Sequence, residues 1–376
     1  MMTIISINLI TYGLRQLCTV CYLLLYLQLS VSCFSGTAAQ KARIRKGKDS
    51  SGLVVDVSRV IARIPGDFMS IASDFHSIRW HEKFDTIDCL LHPTITLYFV
   101  DLTRAFFVQH PPEVNIYDTK KFPFFFIAQR KNAIRTFEIP ISELIKLGEK
   151  IGDPKCWVAW VNHTGRCGST LVAQGLNAIP DCTVISESQE WLVHLAAIGA
   201  ETDIDFTKYT NSVEFDWLVT AAVRFLLRDF AQGQLVCVKT SASFSYITLP
   251  LIAKRFTEHR FISVHRDGAG TAKSLWRIMG NSKALYYALA VLKYSPNIMI
   301  QMLKELFFMF TNGLLAEVRH HYTNRTDIFL LFYINWLTNI VTFQRSARTM
   351  KENQILPLVY DDILADKHSV MMEVRR

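Results

Sequence analysis

From Cys156 onward, hydrophobic positions alternate between short runs and helical stripes. Trp157-Val-Ala-Trp-Val161 predicts a strand, residues 162–170 a turn, and Leu171 to Ala178 a helix. Val184-Ile185 predicts a second strand. Phe215 to Phe230 carries an apolar stripe at Trp217, Leu218, Ala221, Ala222, Phe225 and Leu226, the period of a helix. Leu235 to Val238 and Phe261 to Val264 predict two more strands. Leu249 to Phe256 and Gly270 to Met279 are the helices that follow them. Strands alternating with helices predict an α/β fold: a parallel sheet flanked by helices, of the P-loop nucleotide-binding kind. Ile328 to Phe343 is very apolar but holds Asn335, Thr338 and Asn339, and is short for a membrane span, so it predicts a core helix. Leu356 to Tyr360 predicts a late strand.

Upstream the pattern is mixed. Residues 41–150 read as a linker and an accessory α+β region, with residues 35–55 small, basic and polar. Thr94 to Val100 and Phe122 to Ala128 predict strands, being rich in β-branched and aromatic residues. Ser142 to Leu147 predicts a short helix after Pro140, capped by Ser142. Residues 1–40 contain an uncharged stretch, Gln16 to Gln40, with an apolar core from Leu17 to Phe34. It predicts an apolar helix that serves as a single-pass membrane anchor, with a signal segment as the rival reading. Lys41, Arg43, Arg45, Lys46 and Lys48 follow it, and such a basic cluster places the globular part in the cytosol. Asn162-His-Thr and Asn324-Arg-Thr are glycosylation sequons, the first inside the turn after Val161.

The formal net charge of +8 suits an anionic ligand or a membrane surface. No Lys/Arg-rich helix with interleaved aromatics is present, which argues against a nucleic-acid partner. The eight cysteines are scattered, and Cys18-Thr-Val-Cys21 has no second ligand pair, so no metal site is expected.

Two segments carry chemistry. In Asn162-His-Thr164-Gly165-Arg166-Cys167-Gly168-Ser169-Thr170, a strand enters a glycine-bearing turn that opens a helix. This arrangement aims backbone N–H groups and a helix dipole at an anion. Arg166 adds a forked cation, and Ser169 and Thr170 add hydroxyls. No Lys precedes the Ser/Thr pair, which disfavours a nucleotide hydrolase or P-loop kinase. The second segment, His265-Arg266-Asp267-Gly268 through Ser274, repeats the strand, turn and helix. Arg266 and Ser274 can meet on one side of the sheet around a second phosphate, while Asp267 can cap the helix.

Together these segments resemble the sulfotransferases, which use 3′-phosphoadenylyl sulfate as co-substrate. Arg166-Cys-Gly-Ser-Thr resembles their 5′-phosphosulfate loop, and Arg266 to Ser274 their 3′-phosphate element. Tyr360-Asp-Asp-Ile-Leu-Ala-Asp366 resembles their late Tyr-Glu-Asp-Leu-Leu segment. The resemblance spans about residues 156–366, within a sulfotransferase-like domain at 151–376. It is locally strongest to the protein-tyrosine sulfotransferases. That likeness implies Glu187, in Ser186-Glu-Ser-Gln-Glu190, as the base taking a proton from a hydroxyl-bearing acceptor. It implies Lys239 as the cation that meets the leaving oxygen, and Arg166 as a catalytic cation. Glu190, His194 and His265 are alternative bases. The cofactor-binding set is Thr164, Gly165, Arg166, Cys167, Gly168, Ser169, Thr170, Arg266 and Ser274. The family also implies a Golgi-lumenal site, against the cytosolic face that the charge rule indicates.

Two departures stand against this pattern. Ala269 occupies the place of a second arginine, with Arg277 nearby, and the chain ends soon after the Tyr360 segment, where the family continues with a helix and often a basic loop. They leave an inactive, sulfotransferase-like binding protein as the alternative.

Overall fold

Five apolar strands align in parallel: β6 (Trp157–His163), β7 (Cys182–Ser186), β8 (Leu235–Lys239), β9 (Arg260–His265) and β10 (Ile355–Val359). Their order is β10-β9-β6-β8-β7. Val236, Cys237 and Val238 are fully buried, as a central strand covered on both faces requires. The computed structural model describes residues 54–63, 77–188, 190–200, 203–242, 245–281, 328–348, 350–351, 354–366 and 369. The apolar segment at 17–34 lies outside the described residues. Among the described residues no helix is long and apolar enough to cross a membrane.

A second sheet is antiparallel, ordered β2-β1-β5-β4-β3. It comprises β1 (Val54–Arg63), β2 (Ser77–Thr86), β3 (Ile95–Val100), β4 (Arg104–Gln109) and β5 (Arg135–Pro140). β3 matches the expected strand, and Val54–Val55 extend structure into the expected linker. The expected strand Phe122 to Ala128 is corrected: this stretch enters helix α1 (Phe125–Asn132), with Phe124 extended ahead of it. Pro123 cannot donate to a ladder. Phe125 through Arg130 are buried in succession, so the run shows no helical period. The Ser142 cap is also corrected. Helix α2 (Ile141–Ile151) begins directly after Pro140, with no side-chain cap.

Helix α2 lies against a later helix, Val213–Leu227, whose N-terminus is capped by Ser212 Oγ accepting from Phe215 N–H. A Cβ on Gly148 would come within 2.6 Å of Ala221, so the small residue permits the close crossing. One cluster of buried side chains runs through both sheets, from Val55 and Phe107 to Trp160, Val238 and Phe261.

Trp160 is fully buried and donates its indole N–H to Nδ1 of His259 at 3.0 Å. That bond needs an unprotonated Nδ1. Burial pushes His259 from 6.5 down to about 4. Between those values the folded chain binds fewer protons than the unfolded one. The stabilisation is therefore full above the ordinary histidine range and is lost as pH falls toward 4. Urea denaturation should show a loss of about 2–3 kcal/mol between neutral pH and about pH 4. His259→Asn, which keeps an acceptor but does not titrate, should flatten that profile.

Candidate functional site at the carboxyl edge of the parallel sheet

The registers determine which residues gather at the strand ends. Val161 pairs with Lys239, and Lys239 with Ser186, which precedes Glu187. His163 pairs with Val264, and His265 with Val359, which precedes Tyr360. Across the sheet the strands come fifth, fourth, first, third and second in chain order. The connection leaving β6 leads to one side of the sheet and that leaving β9 to the other, and ligands bind at such a switch point.

The loop after β6 turns through positive φ at Gly165 (79°), Arg166 (53°) and Gly168 (81°). It delivers the chain to helix α3 (Ser169–Leu176), whose first turn has no side-chain cap. Alternating left-handed residues before an uncapped helix form an anion-binding concavity. A Cβ on Gly168 would lie 2.9 Å from the Tyr360 ring, so the loop backbone rests directly on that tyrosine. Cys167 is fully buried, and burial raises its thiol, which therefore stays protonated and is no nucleophile.

The two expected grips meet. Arg166 Nε donates to Ser274 Oγ at 3.1 Å, and Arg266 donates from its Nη1 to the Arg166 carbonyl at 3.1 Å. Arg266 also lies over the Tyr360 ring, 4.4 Å from its centroid. The helices that follow α3 are α4 (Glu190–Ala200), α5 (Phe206–Thr210), α6 (Val213–Leu227), α7 (Ser245–Arg255) and α8 (Gly268–Asn281), and Ser274 belongs to the last of these. Asp267 caps α8 by accepting from Gly270 N–H at 2.6 Å. The cap explains the Asp of Arg-Asp-Gly. Its Gly268 makes room for helix α9 (Ile328–Ala347), where a Cβ would meet the Trp336 ring at 2.6 Å. Trp336 in turn donates its indole N–H to the Arg266 carbonyl at 2.8 Å.

At the ends of the neighbouring strands β8 and β7 lies the second group. The ammonium of Lys239, 1% exposed, forms a short ion pair with Glu187 Oε1, while Glu187 N–H donates to the Lys239 carbonyl at 2.7 Å. Glu187 sits at φ 57°, an uncommon conformation for such a residue. Phe124, ahead of α1, presents its ring to Lys239 at 5.4 Å. Thr164 is buried, and its N–H donates to the Val264 carbonyl.

Other sequence candidates have structural work. His194 is fully buried, bonded to the Asp101 carbonyl and the Tyr209 hydroxyl, and so ties α4 to the turn after β3. His265 bonds Ser263 and leans on Phe343. Asn162, of the first sequon, is buried in β6. Arg277 and Ala269 are exposed. Sequence reasoning missed Phe124, His163 and Trp336. His163 was visible as an imidazole two places before Gly165, but neither Phe124 nor Trp336 belongs to a motif. Among the described residues no group of side chains could hold a metal ion.

No family model matches the chain, and no curated protein matches it. Solved structures to which it is similar include a sulfotransferase from Alicyclobacillus acidocaldarius, at 12% identity and TM-score 0.34, covering 59% of this chain and 79% of that one. Sulfotransferase STF9 from Mycobacterium avium is similar at 10% identity and TM-score 0.38, over 62% of this chain and 67% of that one. Sulfotransferase STF1 from Mycobacterium tuberculosis H37Rv is similar at 12% identity and TM-score 0.33, over 62% and 68%.

Proposed function

We propose that the chain is a sulfotransferase that moves a sulfuryl group from 3′-phosphoadenylyl sulfate to a hydroxyl acceptor. One observation carries the reading: Arg166 and Ser274, 108 residues apart in the chain, are joined by a hydrogen bond, with Arg266 bound to the Arg166 carbonyl. Two segments that separately resemble phosphate-binding elements thus meet at a single cationic site. The donor set fits such a co-substrate. The glycine-lined concavity suits a bridging phosphosulfate, and two guanidiniums with a hydroxyl suit a second phosphate.

When bound, 3′-phosphoadenylyl sulfate supplies the sulfuryl group and departs as its bisphosphate. The chain's residues divide the remaining tasks. Arg166 and the loop amides hold anionic oxygens in line, since transfer of this kind depends on positioning and charge stabilisation. Lys239 meets the charge that develops on the leaving oxygen. Glu187, on the same cation, takes the acceptor's proton. Residues 17–34 keep a membrane attachment within the proposal. The glycosylation state of Asn324 in cells tells which side the site faces.

Titration calorimetry with 3′,5′-bisphosphoadenosine tests the reading. The wild type should bind, and Arg266→Ala should bind about 10–100-fold more weakly, the loss of a charge-assisted phosphate contact. No heat from the wild type refutes the proposal.

A further inference from the structure

Between the donor loop and the Glu187–Lys239 pair lies a residue that neither group claims. His163 ends β6 and is 5% exposed. Its Nδ1 accepts from Gly165 N–H at 3.2 Å, and its Nε2–H donates to the Thr240 carbonyl at 2.8 Å. Both bonds exist together only in the neutral form protonated on Nε2. Thr240 is itself held twice, its N–H and its hydroxyl both donating to the Val161 carbonyl, at 3.0 and 3.1 Å. It follows Lys239, whose carbonyl accepts from Glu187 N–H.

The imidazole therefore touches two parts of the site. One is the first left-handed residue of the loop, Gly165, where the chain leaves the strand and swings Arg166 toward Ser274. The other is the exit of β8, which carries the lysine. We infer that His163 is a positioning residue that sets the direction of the donor loop by its bond to Gly165, the Thr240 bond serving to hold the ring in the tautomer that accepts there. The inference rests on the proposed function for its ligand but on the hydrogen bonds alone for its geometry.

Burial and the nearby Lys239 cation both push His163 well below the usual histidine range, which agrees with a bridging neutral ring. The charged and titratable groups around it are Lys239 at the end of β8, Glu187 paired to that lysine, and the buried Cys167 thiol of the loop, itself under the Lys239 field.

Two replacements separate its two bonds. In His163→Asn the amide oxygen stands where Nδ1 was and keeps the acceptor for Gly165. In His163→Gln the amide nitrogen stands where Nε2 was and keeps the donor for Thr240. With 3′,5′-bisphosphoadenosine as the probe, His163→Asn should bind within about threefold of wild type and His163→Gln about tenfold or more weakly, the order expected for one lost positioning bond. Hydrogen exchange of the ligand-free protein is the second measurement. The Gly165 amide should stay protected in His163→Asn and exchange fast in His163→Gln, at similar melting temperatures. Equal weakening and equal exchange in both variants would mark His163 as a plain packing residue and overturn the inference. A wild type that fails to bind the bisphosphate overturns the sulfotransferase reading instead, and the exchange pattern still decides the role of His163.

Discussion

Gly168→Ala is expected to abolish measurable binding of 3′,5′-bisphosphoadenosine and to cost about 2–4 kcal/mol of stability. Two penalties coincide at this position. The backbone is left-handed, at φ 81°, where a Cβ costs about 1 kcal/mol. The added carbon would also stand 2.9 Å and 3.0 Å from two atoms of the Tyr360 ring. That ring cannot yield freely, because the Arg266 guanidinium lies over it. The strain passes from the loop to the second cation, so both grips are disturbed by one methyl group. Gly233 supplies the control. It has positive φ, at 82°, and a Cβ on it meets nothing within 4 Å. Its alanine variant should lose about 1 kcal/mol in urea denaturation and bind the nucleotide normally. Adding Tyr360→Ala to Gly168→Ala should relieve the clash but not the φ penalty. The double variant should then lose less stability than the two single losses added together, and independent, additive losses would contradict the contact argument.

The parallel sheet was legible because its inner strands, β6, β8 and β9, are mostly buried on both faces and read as unbroken apolar runs. Arg166, Arg266 and Ser274 were legible for a related reason: each stands at a strand end or an early helical turn, where chain direction limits what a side chain can reach. The antiparallel sheet was mostly hidden. β5 alternates Phe137 and Ile139 with Thr136 and Glu138, and the charges suggest a wet outer face. In the fold that face is closed, since Glu138 accepts from Arg79 at 2.9 Å and from Arg104 at 2.7 Å. The desolvation cost of this buried carboxylate is offset by charge-assisted bonds from two guanidiniums, and composition cannot distinguish it from an exposed one. Helix α1 was missed because burial on every side erases the period that marks a helix. His163 was missed because its partners are the backbone atoms of Gly165 and Thr240, and no motif records those.

The Glu187–Lys239 pair predicts an asymmetry that bears on how the site is tested. Lys239 is 1% exposed, while the Glu187 side chain keeps 15%. Among the described residues the ammonium has one hydrogen-bond partner, Glu187, and one further contact, the Phe124 ring. Removing the carboxylate strands a buried cation, which costs about 3–5 kcal/mol. The aromatic face offsets only about 1–2 kcal/mol of that. Removing the lysine leaves a carboxylate that still reaches water, so its loss costs less. Glu187→Ala should therefore destabilise the chain by several kcal/mol, Lys239→Met by clearly less, and the double variant should recover most of the loss in urea denaturation. Equal losses for the two single variants would mean that the lysine is not enclosed as the geometry has it. The consequence for catalysis is direct. A dead Glu187→Ala variant says little about proton transfer, because the lysine that stabilises the leaving oxygen has lost its anchor at the same time. Glu187→Gln keeps the shape and an oxygen for the ammonium but cannot take a proton. A fall in turnover of about 10²–10⁴-fold in that variant, with nucleotide binding intact, assigns the base to Glu187. Turnover that survives assigns the carboxylate to holding Lys239 alone.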